Sequence, residues 1–487
     1  MKLKTIVNNL HNIVNIEGNL DINIDNIVYD SRKATENSIF VAIEGFKVDG
    51  HKFIADAVDK GAKAVVVEKK VNVKDDVSVI RVNNSRVALA QLSSIFFKNP
   101  SEKLDLIGIT GTNGKTTTTY LIKSIFEAAD RKIGLIGTMG SIVGNEINKT
   151  NNTTPESLDL QRSFRKMVDK GLDSCVMEIS SHSLELNRVD FSDVNVGIFT
   201  NLSEDHLDFH KTLEDYFEAK LKLFYKTKDY NIVNSDDKYG KKIIEKIKEL
   251  DTPVLTYGID SKADIKATDI EYNNNGVRYL LNTPKGSIKI ELNIPGKFSV
   301  YNSLAAAACG YAYNISLETI KKALERVKGV KGRFELVPNN RDISIIIDYA
   351  HTPDGFKKVL NTIEQFAEGR KIIVFGCGGD RDRTKRPKMG EIAARYCDLS
   401  ILTTDNARSE DPADIVEDIL VGVKKVNGNY KIILDRREAI KYAIENSKPK
   451  DVILVAGKGH ETYQIIGDNI YLFDERKIIL EILDEIK

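Results

Sequence analysis

Apolar positions along this chain change rhythm twice. In the first hundred residues they come as short runs, "NIVYDSR" at 26–32, "SIFVAI" at 38–43, "AKAVVVEK" at 62–69 and "VSVIRV" at 77–82. Short runs of this kind bounded by polar turns predict strands, with a helix over 51–60 and an amphipathic segment over 86–97. Asn99-Pro100, in "KNPSEKL", marks the expected end of a first domain. From residue 104 buried runs alternate with helical periods: "LDLIGIT", "KIGLIGT", "SCVMEIS", "VNVGIFTNL" and "DYNIVNSDD". Near-continuous apolar strands suit a sheet covered on both faces. Between 261 and 294 the pattern alternates and is broken by Asn-Gly and Lys-Gly, which predicts an antiparallel insert. "YNSLAAAACGYAY" then predicts a helix. A second strand–helix series starts near Phe334, with strands in "SIIIDYA", "KIIVFGCGG", "LSILTTD", "KIILD" and "DVILVAG". The fold class is α/β in three domains: an N-terminal α/β domain over 1–99, a central doubly wound domain over 100–332 and a C-terminal Rossmann-like domain over 333–487. "GVKGR", 329–333, is the expected hinge.

Composition sets limits around that picture. A chain of 487 residues exceeds one ordinary core and fits roughly three domains. Lys plus Arg and Asp plus Glu number 71 each, so no bulk field attracts nucleic acid or an anionic membrane. "MKLKTIVNNLHNIVNIEGNL" lacks the apolar core of a signal peptide, and no run approaches the roughly 20 apolar residues that span a bilayer. Cys175, Cys309, Cys377 and Cys397 lie in apolar runs without paired spacing, as reduced core thiols of a cytoplasmic protein.

The strongest chemical signal is "GITGTNGKTTTTY", which follows the strand at 104–110 and opens a helix. Glycines let backbone N–H groups approach phosphates, Lys115 supplies a cation, and Thr116 offers a hydroxyl to magnesium. The usual spacing fails because Ile109 stands where the first glycine belongs. The strand–loop–helix context nevertheless predicts a phosphate site in a P-loop ATPase-like domain, and by itself leaves motor, switch, kinase and ligase open. Nearby, Glu178 ends a buried strand, and "FTNLSEDHLDFH" brings Asp205, His206, Asp208 and His210 into six residues. Carboxylates at strand ends beside a triphosphate suit magnesium; imidazole is a softer ligand than that ion selects, so His206 and His210 read equally as helix caps or core fillers. Lys220 shares a helix with the apolar Tyr216, Phe217, Leu221 and Phe224, where an isolated lysine is ordinarily a snorkelling surface residue.

Three further clusters fall at carboxyl ends of the later strands, where ligands of doubly wound sheets bind. They are Asp348-Tyr349-Ala350-His351, Asp405-Asn406-Ala407-Arg408 and Gly457–Glu461. In "TTDNARSEDP" the alternative is a solvated loop, with Asp411-Pro412 as N-cap and first turn of the next helix.

Taken together these segments resemble the Mur ligase family, and within it the MurE type that adds the third peptide residue to a UDP-N-acetylmuramoyl-dipeptide. The resemblance runs through "DSRKATENSIFVAIEGFKVDGHKFI", "GTNGKTT", "NTTPESLDLQ", "MEISSHSLELNRV", "NLSEDHLDFH", "YFEAKLKLF", "YNSLAAA", "GRFE", "DYAHTPD", "GCGGDRDRTKRPKMG", "DNARSEDP" and "GKGHETYQ". It implies a UDP-sugar-binding first domain, an ATP-binding central domain and an amino-acid-binding last domain. It assigns ATP to Gly111, Thr112, Asn113, Gly114, Lys115, Thr116, Thr117, Asn302, Arg333, Asp348 and His351, and catalysis to Lys115, Glu178, His206 and Lys220. Thr116, Glu178, His206 and a carbamylated Lys220 would hold magnesium. Ser31, Thr153, Thr154, Ser180 and Arg188 match contacts to the UDP-muramoyl-dipeptide, although Leu186 stands where relatives carry a glutamine. Arg381, Asp405, Asn406, Ala407, Arg408, Gly457 and Glu461 match contacts to the incoming amino acid.

The implied reaction moves the ATP γ-phosphoryl onto a D-glutamyl carboxylate and lets an amine displace phosphate. Arg408 favours meso-diaminopimelate, because a guanidinium pairs bidentately with the distal carboxylate that lysine lacks. Ala407 replaces the proline of the usual Asp-Asn-Pro-Arg, which leaves L-lysine and meso-lanthionine as alternatives. A folylpolyglutamate synthetase-like ligase and a nucleotide-driven switch are the rivals. The expected partners are small molecules, with no nucleic acid and no membrane insertion, and the expected state is a monomer.

Overall fold

Alternation decides how the N-terminal strands are buried. The computed structural model describes residues 1–46, 48–150, 152–273 and 276–486, with the side chain of Asp208 outside the described set. Asn26–Val28, Ser38–Val41, Ala62–Val67 and Ser78–Val82 pair in parallel, and Ile13–Glu17 adds an antiparallel edge. Ile39, Val41, Ala64, Val66, Ile80 and Val82 face one core; Phe40, Val65, Val67 and Val79 face the other. Each such Val, Ile or Phe side chain, withdrawn from water, contributes about 1.5–3 kcal/mol. The edge strand Ile13–Glu17 was not expected: it is mostly exposed, so its sequence carries little apolar signal. The helix expected over 51–60 begins as a 3₁₀ turn, Gly50–Phe53, and becomes α-helical over Ile54–Asp59.

The chain forms two compact units, one of residues 1–111, 126–200 and 206–256, the other of 112–125, 201–205 and 257–487. Besides the N-terminal sheet, the first unit holds a sheet ordered Thr227–Asn234, Val194–Phe199, Asp105–Thr110, Ser174–Glu178, Ile133–Gly137, Gly140–Val143 and Glu146–Asn148. Its first five strands are parallel, and the last two form an antiparallel extension that the sequence reading missed. Asp105–Thr110 thus lies between Val194–Phe199 and Ser174–Glu178.

In the second unit Ile265–Asn273, Gly276–Thr283 and Gly286–Leu292 form the expected antiparallel insert; Asn275, half of the expected Asn-Gly turn, lies outside the described residues. The last sheet runs Glu335–Leu336, Ser344–Asp348, Val452–Ala456, Lys371–Phe375, Leu399–Leu402, Tyr430–Ile432, all parallel after the first pair. Ile346, Ile373, Phe375, Leu402 and Leu454 pack on one face, and Ile345, Ile347, Ile372, Val374, Ile401, Ile453 and Val455 on the other. Register sets Asp348 beside Ala456, and Ala456 beside Phe375, so the segments after them share one edge. The ribbon Tyr463–Ile466 and Asn469–Leu472 was not expected from the sequence, and the helix Glu475–Glu485 closes the strand–helix series after it. Among the described residues no helix is long and apolar enough to cross a membrane.

Candidate active site

In the first unit, Glu178 ends its strand almost fully buried. Its carboxylate accepts from the Thr138 backbone N–H (2.8 Å) and hydroxyl (3.1 Å), and Thr138 Oγ1 lies 3.1 Å from Thr153 Oγ1. The room for that carboxylate comes from Gly137, where a Cβ would lie 2.3 Å from Glu178 Oε1. Buried Thr154 donates to the Glu178 carbonyl (2.9 Å) and accepts from the Ser180 backbone N–H (3.0 Å). Ser180 caps the helix Ser181–Glu185. Arg188 reaches back to the Thr154 carbonyl (3.2 Å) and pairs with Glu156 (3.2 Å). Glu178, Thr153, Thr154, Ser180 and Arg188, scattered over 36 positions of sequence, are therefore one hydrogen-bonded group. Thr138 and Glu156, which support it, were not singled out in the sequence.

His206 sits in the left-handed region at φ +54, just ahead of the short helix Leu207–His210. Its ring stands edge-on to His182 at 4.8 Å and to Tyr216 at 6.1 Å. His210 fills a core corner, with Nε2 2.9 Å from Ser181 Oγ. Burial, helped by the neighbouring His182 and Lys220, pulls its pKa down to about 4. Lys220 corrects the surface reading: it is 1% exposed. Its Nζ donates to the Gly111 carbonyl at 2.9 Å and lies 4.4 Å above the Tyr216 ring. The helix Leu213–Leu221 turns Lys220 into the same interior as Tyr216 and Phe217, and a carbonyl with an aromatic face makes an ammonium tolerable there. Ser31 opens the turn Ser31–Lys33 after Asp30 and is buried.

In the second unit, Thr112, Asn113 and Gly114 lead into the helix Lys115–Ala128. The loop is held by Asn201: its carbonyl accepts from the Thr112 N–H (2.8 Å), and its side chain exchanges bonds with the Asn113 backbone (3.1 Å each way). Lys115 Nζ curls back onto the Thr112 carbonyl at 2.9 Å. Gly114, at φ +87, leaves no room for a side chain, since a Cβ would lie 2.4 Å from Asn302 Oδ1. Thr116 and Thr117 are buried, and Arg333 reaches the Thr116 hydroxyl at 3.4 Å while stacking on Tyr349 at 4.6 Å. Asp354, unnoticed in the sequence, accepts from Asn113 Nδ2 (3.2 Å), Ser203 Oγ (2.7 Å) and Lys358 (2.8 Å). Burial pushes its carboxyl up, but Lys358, Ser203 and Asn113 outweigh that and hold it below the usual range. Asp348 accepts from the Phe334 and Ala350 N–H groups at 2.7 Å each. Burial raises its carboxyl pKa against the opposing pull of Arg333 and those two N–H groups. His351 is exposed, with Nδ1 2.8 Å from the Tyr349 carbonyl.

The same unit assembles the third group. Asp405 and Asn406 are buried, and Ala407 is fully so. Gly379 lies against it, a Cβ there meeting the Ala407 carbonyl at 1.8 Å. Without a proline the loop is held by backbone bonds: Gly379 N–H donates to Asn406 O, Arg408 N–H to Ile465 O and Gly467 N–H to Arg408 O. Arg408, at φ +54, donates through Nη1 to the carbonyls of Gly379 (2.7 Å) and Asn406 (3.4 Å). Gly457, at φ +112, lets Asp405 approach, where a Cβ would lie 2.8 Å from Oδ2. Glu461 accepts from Asn406 Nδ2 at 2.9 Å. Arg381 is exposed and donates to the Asp380 carbonyl. Asp411 caps Pro412–Lys425 as expected, accepting from the Ala413 N–H.

Three family models match in chain order: the Mur ligase family catalytic domain over residues 23–104, the Mur ligase middle domain over 109–310 and the Mur ligase glutamate ligase domain over 332–459. The chain is 50% identical over 485 residues to the UDP-N-acetylmuramoyl-L-alanyl-D-glutamate--2,6-diaminopimelate ligase of Clostridioides difficile (strain 630), covering 100% of both. It is 49% identical to the protein of the same name from Caldanaerobacter subterraneus subsp. tengcongensis (strain DSM 15242 / JCM 11007 / NBRC 100824 / MB4), over 96% of this chain and 97% of that one. A solved structure of that name aligns with a TM-score of 0.72 at 30% identity, over 100% of this chain and 99% of the other. Matched end to end in sequence and in fold, the chain belongs to the Mur ligase family.

Proposed function

We propose that this chain is a cytoplasmic ATP-dependent ligase that joins meso-2,6-diaminopimelate to UDP-N-acetylmuramoyl-L-alanyl-D-glutamate in peptidoglycan precursor synthesis. The observation that carries the choice of amino acid is the seating of Arg408. Its Nη1 is spent on two backbone carbonyls, while among the described residues Nε and Nη2 donate to none. That leaves the edge of the guanidinium suited to a bidentate carboxylate. An amino acid ending in a carboxylate satisfies it; lysine would leave a half-buried fork unpaired. The proposed domains, 1–99, 100–332 and 333–487, are supported by the separate N- and C-terminal sheets and by the three matched segments.

The chemistry has to make a carboxylate electrophilic. In the proposed sequence the γ-phosphoryl of ATP passes to the D-glutamyl carboxylate, and the amino group attacks the acyl phosphate to release phosphate. Such transfer depends on positioning and charge neutralisation. Lys115, now resting on the Thr112 carbonyl, would swing to the γ-phosphate, and the Gly114 N–H with the first N–H groups of the helix Lys115–Ala128 would cradle it, while Asn201 holds the Thr112 and Asn113 N–H groups. Asn302, Arg333, Asp348 and His351 would hold the adenosine end. The donor set proposed for magnesium fits a hard ion through the Thr116 hydroxyl, the Glu178 carboxylate and a carbamate on Lys220, with His206 as its softer member. When bound, that ion would offset phosphate charge. Carbamylated Lys220 keeps one N–H for the Gly111 carbonyl but gives up its cationic contact with Tyr216. Thr153, Thr154, Ser180 and Arg188 would hold the peptide, and Ser31 the uridine end. The expected hinge is best supported at Gly329, which has φ +129 and where a Cβ would meet nothing within 4 Å beyond its chain neighbours; at Gly332 a Cβ would run into Gly459 and His460.

The test is phosphate release with ATP, magnesium and the UDP-dipeptide, with meso-diaminopimelate, meso-lanthionine or L-lysine added in parallel. Turnover with a diacid and not with lysine supports the proposal, and the two diacids are ranked by kcat/KM. Turnover with lysine alone refutes the specificity and keeps a ligase. ATP turnover indifferent to every co-substrate refutes the ligase itself.

A further inference from the structure

Lys458 is a fully buried lysine inside the amino-acid group. It lies between two glycines in the left-handed region, Gly457 at φ +112 and Gly459 at φ +53. At Gly459 a Cβ would lie 2.7 Å from both the Gly332 carbonyl and Tyr349 Cβ. The backbone is thus pressed inward where a surface lysine would ordinarily be directed to water. Nζ donates to Asn406 Oδ1 at 3.1 Å and to Glu461 Oε2 at 3.1 Å, and stands 5.7 Å from the Tyr463 ring centroid. Asn406 Oδ1 also accepts from the Ile465 N–H at 2.9 Å, and Asn406 Nδ2 donates to the same Glu461 Oε2.

The donor and acceptor inventory makes this arrangement directional. Two donors on Oδ1 determine which way the Asn406 amide points. With the amide so fixed, Nδ2 spends one hydrogen on Glu461 and keeps the other. Glu461 receives both bonds on Oε2, so Oε1, which accepts from no described residue, is left for a ligand. Without Lys458 Oδ1 keeps only the Ile465 N–H as donor, and Glu461 loses the ammonium that holds its Oε2 in place for Nδ2.

We infer that Lys458 is a positioning residue for the incoming amino acid: its ammonium orients the Asn406 amide and the Glu461 carboxylate so that they present one donor and one free acceptor to the substrate's distal amino-acid head. The inference rests on the amino-acid site proposed above. It gives Lys458 no contact with substrate; the effect passes through Asn406 and Glu461, as outer-sphere groups orient the residues that touch a ligand.

The test replaces Lys458 by methionine, similar in length and able to stay buried. In Lys458→Met the KM for the amino acid should rise about 10- to 100-fold, the loss expected when charge-assisted hydrogen bonds disappear. The KM values for ATP and for the UDP-dipeptide should stay within about threefold. Lys458→Met combined with Glu461→Gln should cost little beyond the larger single effect, because the two act as a unit. An unchanged amino-acid KM in folded Lys458→Met overturns the inference, and so does an equal rise in all three KM values. If Lys458→Met fails to fold, the double variant, which removes both members of the ion pair, is measured against Glu461→Gln alone; an amino-acid KM clearly above that of the single variant overturns it. Wild-type enzyme that ignores diaminopimelate refutes the proposed function instead, which keeps the two failures distinguishable.

Discussion

Arg408→Lys keeps the charge and removes the fork. Three consequences can be worked out. The two Nη1 bonds to Gly379 and Asn406 disappear, at a cost of about 1–2 kcal/mol of stability. The ammonium can replace one of the two expected bonds to the distal carboxylate but not both. A charge-assisted bond contributes about 1.5–3 kcal/mol; discounted for a half-exposed side chain, the loss is about 2 kcal/mol, or roughly 30-fold in kcat/KM for meso-diaminopimelate. For L-lysine, which offers no distal carboxylate, kcat/KM should hold steady or rise. The ratio between the two substrates therefore falls about 30-fold. Phosphate release at saturating ATP and UDP-dipeptide measures both constants, and thermal unfolding reports the structural part separately. A ratio changed less than about threefold, in an enzyme that still unfolds cooperatively, would refute the clamp.

In Gly114→Ala the new Cβ falls 2.4 Å from Asn302 Oδ1, at a φ of +87. Strain of about 1–3 kcal/mol should weaken ATP binding about 5- to 150-fold by isothermal titration, and unchanged affinity would count against a role for this loop in holding ATP. Lys220→Ala should lower turnover more than about 100-fold; carbon-13 bicarbonate should give a bound carbamate resonance in the native enzyme and none in Lys220→Arg, and its absence from active native enzyme would reject carbamylation. His210 carries a pH prediction: its pKa is about 4 folded against about 6.5 unfolded. The unfolded chain takes up the proton first, so this contribution is complete above pH 6.5 and is lost as pH falls toward 4, by up to about 3 kcal/mol. His210→Gln should flatten the difference in urea midpoint between pH 5 and pH 7.5, and an unaltered difference would place the titration elsewhere.

Strands flanked by strong turns were legible because short, near-continuous apolar runs suit a sheet covered on both faces: Ala62–Val67, Asp105–Thr110 and Val452–Ala456 all form where the pattern puts them. Two of the missed elements share a cause. Ile13–Glu17 and the ribbon at 463–472 expose most of their side chains, so burial had written little into their sequence. The phosphate loop and the arginine of "DNAR" were legible as local chemistry. Asp354, Thr138 and Lys458 were not, since each matters through a partner that is remote in sequence or hidden beside it.

Alone, the sequence determined the α/β order of elements, the phosphate loop and the kind of chemistry its residues offer, because these depend on spacing within a few positions. Burial and partnership were decided by tertiary structure. It turned Lys220 from a surface lysine into one held by a carbonyl and a ring, because its helix packs that side inward. It also made Ala407 an adequate substitute for proline: a loop tied down by Gly379, Ile465 and Gly467 loses its freedom through hydrogen bonds and packing, and no longer depends on a fixed φ to do so.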